Sequence, residues 1–73
     1  MNIEKLIERL SKANSPTALS EFTRLAHHYG FVFDHATGSH HVFRHWTGRK
    51  YVVPVHQKRI KAVYARNFLE EQQ

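Results

Sequence analysis

Phe31-Val32-Phe33-Asp34-His35-Ala36-Thr37-Gly38-Ser39-His40-His41-Val42-Phe43-Arg44-His45-Trp46-Thr47-Gly48-Arg49-Lys50-Tyr51-Val52-Val53-Pro54-Val55 is the stretch that decides the fold. Phe31 and Phe33 alternate with Val32 and Asp34, the period of two that marks a half-buried strand. Ala36-Thr37-Gly38-Ser39 reads as a turn, His40 to Trp46 as a second strand, Thr47-Gly48 as another turn, and Lys50 to Val55 as a third strand. Pro54 has no N–H for a ladder, so it belongs at an edge or a bulge. Outside this meander the period is helical. Ile3, Leu6, Ile7 and Leu10 predict an amphipathic helix over about residues 3–13. Ser15 and Pro16 are suited to cap and begin a second helix, with Leu19, Phe22, Leu25, Ala26 and Tyr29 on its apolar side. Gly30 is placed to end that helix in the left-handed conformation. From Ile60 the helical period returns through Val63, Tyr64 and Phe68. The order α-α-β-β-β-α predicts an α+β, two-layer fold: a three-stranded antiparallel sheet with helices on one face and the other face open.

Alternation also assigns the faces. Phe31, Phe33, Phe43, Tyr51 and Val53 should turn to the helices. Parity along the middle strand then sends His41 and His45 with Phe43, and His40, Val42 and Arg44 to the open side.

The 73 residues suffice for one small domain, and nothing along them reads as a linker or repeat. There is no cysteine, which removes disulfide frameworks and thiolate metal clusters and fits a reducing compartment. No apolar run is long enough for a membrane span, and the N-terminus lacks a signal-peptide core, so a cytoplasmic protein is expected. Charge is unevenly placed. Met1 to Asp34 carries four Lys/Arg and four acids, whereas His35 to Leu69 carries seven Lys/Arg and no acid. The net charge of +5 therefore belongs to the second half, a field that attracts polyanions, nucleic acid foremost.

Five of the seven histidines fall between His35 and His56. They show no metal-ligand spacing and have no carboxylates in the stretch, which argues against a metal or other cofactor. His27, His28 and His35 read as solvated surface residues, the first two suited to a helix C-terminus. An imidazole titrating near neutrality could also move protons during RNA cleavage, with Lys or Arg stabilising the extra charge of the transition state. Composition and spacing leave that chemistry and plain RNA binding equally open. A protein–protein adaptor with an incidentally basic surface is a third, weaker alternative.

The ordered set Gly38-Ser39-His40-His41, Phe43-Arg44-His45, Thr47-Gly48-Arg49-Lys50, Val52-Val53-Pro54, His56 and Tyr64-x-x-x-Phe68 resembles the HicA toxin family. The likeness starts at the Leu25 to Phe31 helix end and covers about 50 residues from near Ser15 onward. It implies a double-stranded-RNA-binding-domain-like (dsRBD-like) fold, metal-independent endoribonuclease activity on mRNA, and inhibition by a HicB-like antitoxin. It also implies that the histidine after Gly-Ser, here His40, is catalytic, with His41 the second choice because some members carry the histidine one place later. Arg44, Arg49, Lys50, Lys58, Arg59 and Lys61 are candidate phosphate contacts on charge alone. The non-catalytic alternative is a module that binds double-stranded RNA by shape. The extra N-terminal helix could be a core element, an antitoxin dock, or a dimer surface through Ile3, Leu6 and Leu10.

Overall fold

The computed structural model describes residues 2–73. Helix α1 spans Ile3–Ser11, and its first turn is closed by Asn2, whose side-chain oxygen accepts from the Lys5 N–H at 2.9 Å. It stops two residues before the predicted end, within the usual fraying of a helix terminus. Strand β1 (Thr17–Ala18), helix α2 (Leu19–His28), strands β2 (Phe31–Thr37), β3 (His40–His45), β4 (Lys50–Pro54) and β5 (Arg59–Ile60), and helix α3 (Ala62–Glu71) follow. The sheet β2-β3-β4 is antiparallel in that order, and β1 pairs antiparallel with β5 in a separate two-stranded sheet. Three helices and a three-stranded antiparallel meander make this the expected α+β fold, consistent with the dsRBD-like arrangement.

The core lies between the sheet and the helices. Phe22 of α2 sits at its centre, with Phe43 and Phe68 edge-on at 5.3 Å each and Tyr51 at 6.3 Å. Edge-to-face rings at this spacing add about 0.5–1.5 kcal/mol per pair beyond the area they bury. Phe31, Phe43 and Val53 contribute from the sheet, as alternation predicted, and Tyr51 packs against the same cluster. The Tyr51 hydroxyl donates to the Tyr64 carbonyl at 2.9 Å, so its polar end is satisfied where it is half-buried.

Leu6 and Leu10 are fully buried in this cluster, with Ile3 and Ile7 partly so. The apolar stripe of α1 is thus spent inside the chain rather than left for a dimer. Arg66 of α3 donates to the Ala13 carbonyl in the segment that follows α1, and Arg9 of α1 pairs with Glu21 of α2.

Several predicted boundaries change, for one shared reason. Ser15 and Pro16 do not open α2; both are exposed, and the helix starts at Leu19 with Ala18 as an N-cap that makes no side-chain bond. Ile60 likewise does not start α3, which begins at Ala62 behind an N-cap Lys61 that also lacks a side-chain bond. Instead Thr17 pairs with Ile60 and Ala18 with Arg59, and the Leu19 N–H finds the Lys58 carbonyl at 2.8 Å. Backbone groups that capping side chains would have satisfied are satisfied by a strand pair between the two helix starts. The pairing buries Thr17 and Ile60. It is fed by the tight turn His56-Gln57-Lys58-Arg59, in which Gln57 and Lys58 both take positive φ, 53° and 62°.

Three further expectations are corrected. β2 runs on to Thr37, so its turn to β3 is only Gly38-Ser39. Phe33 stays on the helix side, its ring 5.9 Å from Phe43, yet it is 50% exposed because only Phe31 of this edge strand lies under the helices. Val63 is exposed; the buried side of α3 is Ala62, Ala65, Phe68 and Leu69. Gly30 does end α2, with φ +86° and its N–H on the His27 carbonyl. A Cβ there would lie 2.9 Å from His45 Nε2, so the position excludes side chains by contact as well as by conformation.

Candidate active site

The open face of the sheet carries the candidate site. Residues directly across antiparallel strands share a face. His40 of β3 stands between Thr37 of β2 and Pro54 of β4; Val42 between His35 and Val52; Arg44 between Val32 and Lys50. No helix covers this side: Val32 and Val52 are 49% and 47% exposed, and His40, Arg44 and Lys50 are exposed too. The His40 end is finished by the Val55 N–H, which donates to the Ser39 carbonyl at 2.7 Å and holds the two-residue turn against β4.

His41 points the other way, as parity requires. It is half-buried opposite Ala36 and Val53, with its ring 5.4 Å from that of Phe33. His45 is also on the helix side. Its ring lies 4.9 Å from Phe31, and its Nδ1 accepts from the Thr47 N–H at 3.2 Å and lies 2.8 Å from the Thr47 hydroxyl. It shapes the β3–β4 turn rather than the open face.

The six basic candidates divide into three places. Arg44 and Lys50 are directly opposed on the open face, a like-charge pair that disfavours the sheet locally unless an anion lies between or near them. Asp34 partly meets that need, with its carboxylate 3.4 Å from Arg44 Nη2. Arg44 is four residues from His40, about 14 Å along the strand at ~3.4 Å per residue. Lys58, Arg59 and Lys61 lie beyond Pro54, on the turn, β5 and the start of α3, past the His40 end. Arg49 is set apart. Its guanidinium lies 5.5 Å from the Phe31 ring centroid, and its Nη2 reaches Gln72 at 3.5 Å, on the helix side.

Asp34 and His35, the latter read from the sequence as a solvated surface residue, are both exposed on β2. β2 carries one extra residue between Phe33 and His35, a bulge in the β2–β3 register. In a regular strand Asp34 and His35 would point to opposite faces. The bulge cancels that alternation, and His35 Nδ1 lies 2.9 Å from Asp34 Oδ2. It also moves His35, two residues from helix-side Phe33, to the open face opposite Val42. The hydrogen bond from His35 holds the Asp34 carboxyl below its ordinary value; desolvation opposes it, and the charges of Arg44, His35 and Lys50 reinforce it. The one acid on this face is thereby ionised and engaged.

Hollows of about 310 Å³ beside Asn14, Pro16 and Val63, 550 Å³ beside Leu19 and Thr23, and 240 Å³ beside His56 and Arg59 are found on the surface. None of the three is lined by His40, which stands on an open sheet that a long polymer can cross. Trp46, 86% exposed in the β3–β4 turn with its ring 5.3 Å from His45, offers a flat apolar surface at the far end. Among the described residues no three His, Asp or Glu side chains gather as metal ligands, and no helix is long and apolar enough to cross a membrane.

No curated protein and no solved structure matches the chain. The family described as the HicA toxin of bacterial toxin-antitoxin matches residues 19–73, from the first residue of α2 through α3. That span holds all of the meander, the open face and most of the core, and leaves only α1 and β1 outside. The chain belongs to the HicA toxin family, the toxins of bacterial toxin–antitoxin modules.

Proposed function

We propose that this toxin is a metal-independent endoribonuclease that cleaves mRNA with His40, acts in the cytoplasm, and is silenced by a HicB-like antitoxin covering the open face. The observation that carries this reading is the placement of His40: exposed, on the middle strand, on the side of the sheet that no helix occupies. Cationic groups lie along the strand on one side of it and beyond Pro54 on the other. Such a field gathers a phosphodiester backbone and stabilises the extra negative charge of a pentacoordinate phosphorus. An imidazole at neutral pH then supplies the proton transfer that internal attack by the RNA 2′-hydroxyl requires. His41, turned toward Phe33 and Val53, is less well placed to reach a strand lying on that face.

The test is cleavage of RNA by the purified protein in EDTA, with His40→Ala beside it. We expect cleavage to persist in EDTA and to fall by about 10²–10⁴-fold in the variant. Equal rates for the two proteins, or loss of activity in EDTA, would remove the mechanism. RNA gel shifts without product, unchanged by His40→Ala, would point to a binding module that does no chemistry. In cells, expression should arrest growth, and either His40→Ala or co-expression of the antitoxin should relieve the arrest.

A further inference from the structure

We infer that His35 is a second acid–base group of this site, held in place by Asp34, so that two imidazoles on adjacent strands bracket one phosphodiester. The inference rests on the reading of His40 given above and extends it from one proton-transfer group to a pair.

Three observations converge on it. The register puts His35 opposite Val42 and His40 two residues from Val42, both on the open face. Diagonal neighbours of this kind have Cα atoms about 7–8 Å apart, a separation over which two rings can lean toward a single phosphate. The bulge at Asp34 is what brings His35 to that face, and bulges recur where a strand must re-aim a side chain beside an active site. Finally, Asp34 Oδ2 lies 2.9 Å from His35 Nδ1. With Nδ1–H donating to the carboxylate, Nε2 is left as the free nitrogen, and the ring's orientation is fixed. Arg44, 3.4 Å from the other oxygen of Asp34, steadies the carboxylate and keeps further N–H groups for phosphate oxygens.

The chemistry balances with these groups alone. His35 Nε2 takes the proton of the RNA 2′-hydroxyl as that oxygen attacks phosphorus. The P–O5′ bond breaks, and the leaving 5′-oxygen takes a proton from the His40 imidazolium. The products are a 2′,3′-cyclic phosphate and a 5′-hydroxyl, with one proton moved in and one out. Asp34 is a positioning residue: it touches no substrate atom and holds the His35 ring with Nε2 free. The groups facing His35 are Asp34 on its own strand, His40 and Arg44 on β3, and Lys50 on β4 beyond them; β2 is an edge strand, so none faces it from the other side.

The experiment measures single-turnover cleavage against pH for wild type, His35→Gln, Asp34→Asn and His40→Ala, with RNA affinity by gel shift and folding by circular dichroism. Wild type should give a bell-shaped profile. His35→Gln should keep its fold and RNA affinity within about threefold, lose about 10²–10⁴-fold in rate, and lose the rising acid limb. Asp34→Asn should fall between the two and shift that limb. A substrate whose 5′-oxygen is replaced by sulfur leaves without a proton, so it should restore cleavage to His40→Ala and not to His35→Gln. If wild type cleaves and His40→Ala does not, but His35→Gln runs near the wild-type rate with both limbs intact, the second group is refuted while the His40 reading stands. Sulfur rescue of His35→Gln alone would likewise overturn the roles. Failure of wild type to cleave at all would instead remove the underlying reading.

Discussion

The two faces of the β2-β3-β4 sheet are built from the same three strands and do opposite work. On the helix side Phe31, Phe43 and Val53 are at most 2% exposed and close on Phe22 and Phe68. On the open side His40, Arg44 and Lys50 stand in solvent with Val32 and Val52 half-exposed between them. Antiparallel strands permit this division because each residue takes one face only. In a chain this small the helix side must supply most of the stability, and the open side is correspondingly free to carry unfavourable features: opposed cations, exposed histidines and exposed valines. Substitutions on one side should therefore register in unfolding, and on the other in RNA chemistry, with little crossing over.

The largest expected effect is on the helix side. Phe22 packs against Phe43, Phe68 and Tyr51, so Phe22→Ala removes the hub of the aromatic cluster and leaves a cavity in its place. A loss of about 3–5 kcal/mol is expected, measured as a fall in the urea midpoint. His40→Ala should leave the same midpoint unchanged. If His40→Ala shifts the midpoint by a comparable amount, the division of labour between the faces fails.

Next in size is the seam where the faces meet. Gly30→Ala places a methyl at φ +86° and within 2.9 Å of His45 Nε2, so the ring and the β3–β4 turn it supports must move. We expect a loss of about 2 kcal/mol from strain and displacement. Cleavage should survive under conditions where the variant is folded, since His40 lies at the opposite end of β3. Loss of cleavage from fully folded Gly30→Ala would show that the two ends of the sheet are coupled.

A smaller effect tests the inner face by pH. Burial, and then the negative charge of Glu71, push the Tyr51 hydroxyl up from 10.0 to about 12. The folded state thus resists ionisation more than the unfolded chain does. Its contribution is complete below pH 10 and is lost as pH rises toward about 12, where the unfolded state gains by forming phenolate first. Tyr51→Phe also loses the bond to the Tyr64 carbonyl and should cost about 0.5–1.5 kcal/mol at neutral pH. Above pH 10 the gap between wild type and variant should narrow in chemical unfolding. A constant gap across that range would mean that Tyr51 titrates normally in the folded protein.

The division between faces was legible in the sequence wherever a period could run its course. Alternation over His40 to His45 separated His40 from His41, and the change of period at Gly30 located the meander. What escaped were features shorter than a period or made across long distances. Two-residue strands cannot show alternation, so Thr17–Ala18 and Ile60 were read into the starts of helices; the pairing of β1 with β5 spans over forty residues. Ser15-Pro16 carries a genuine helix-start signal that tertiary hydrogen bonding overrode. The bulge escaped for a sharper reason: a single extra residue flips the parity of all that follows, and nothing local in Phe33-Asp34-His35 announces it. His35 is exposed, as it was read; what the bulge adds is its place on the open face beside Asp34. Arg49 precedes both the predicted strand and β4, so no parity assigned it a side, and charge counting alone put it with the rest.

The smallest stability effect and the sharpest test of the open face come together in Arg44 and Lys50. Each sits across from the other, so removing one relieves repulsion, and Lys50→Ala should leave stability unchanged or raise it by a few tenths of a kcal/mol. Arg44→Ala removes the repulsion and also the contact with Asp34, so its two effects nearly cancel. RNA affinity should behave differently. Each side chain that meets a phosphate contributes one released counterion, so each substitution should flatten the plot of log affinity against log salt by about 0.7 for a single strand. Arg49→Ala is the internal control: placed on the Phe31 side and joined to Gln72, it should leave that slope unchanged. Equal flattening by Arg49→Ala and Lys50→Ala would mean that RNA wraps the edge of the sheet rather than lying on its open face.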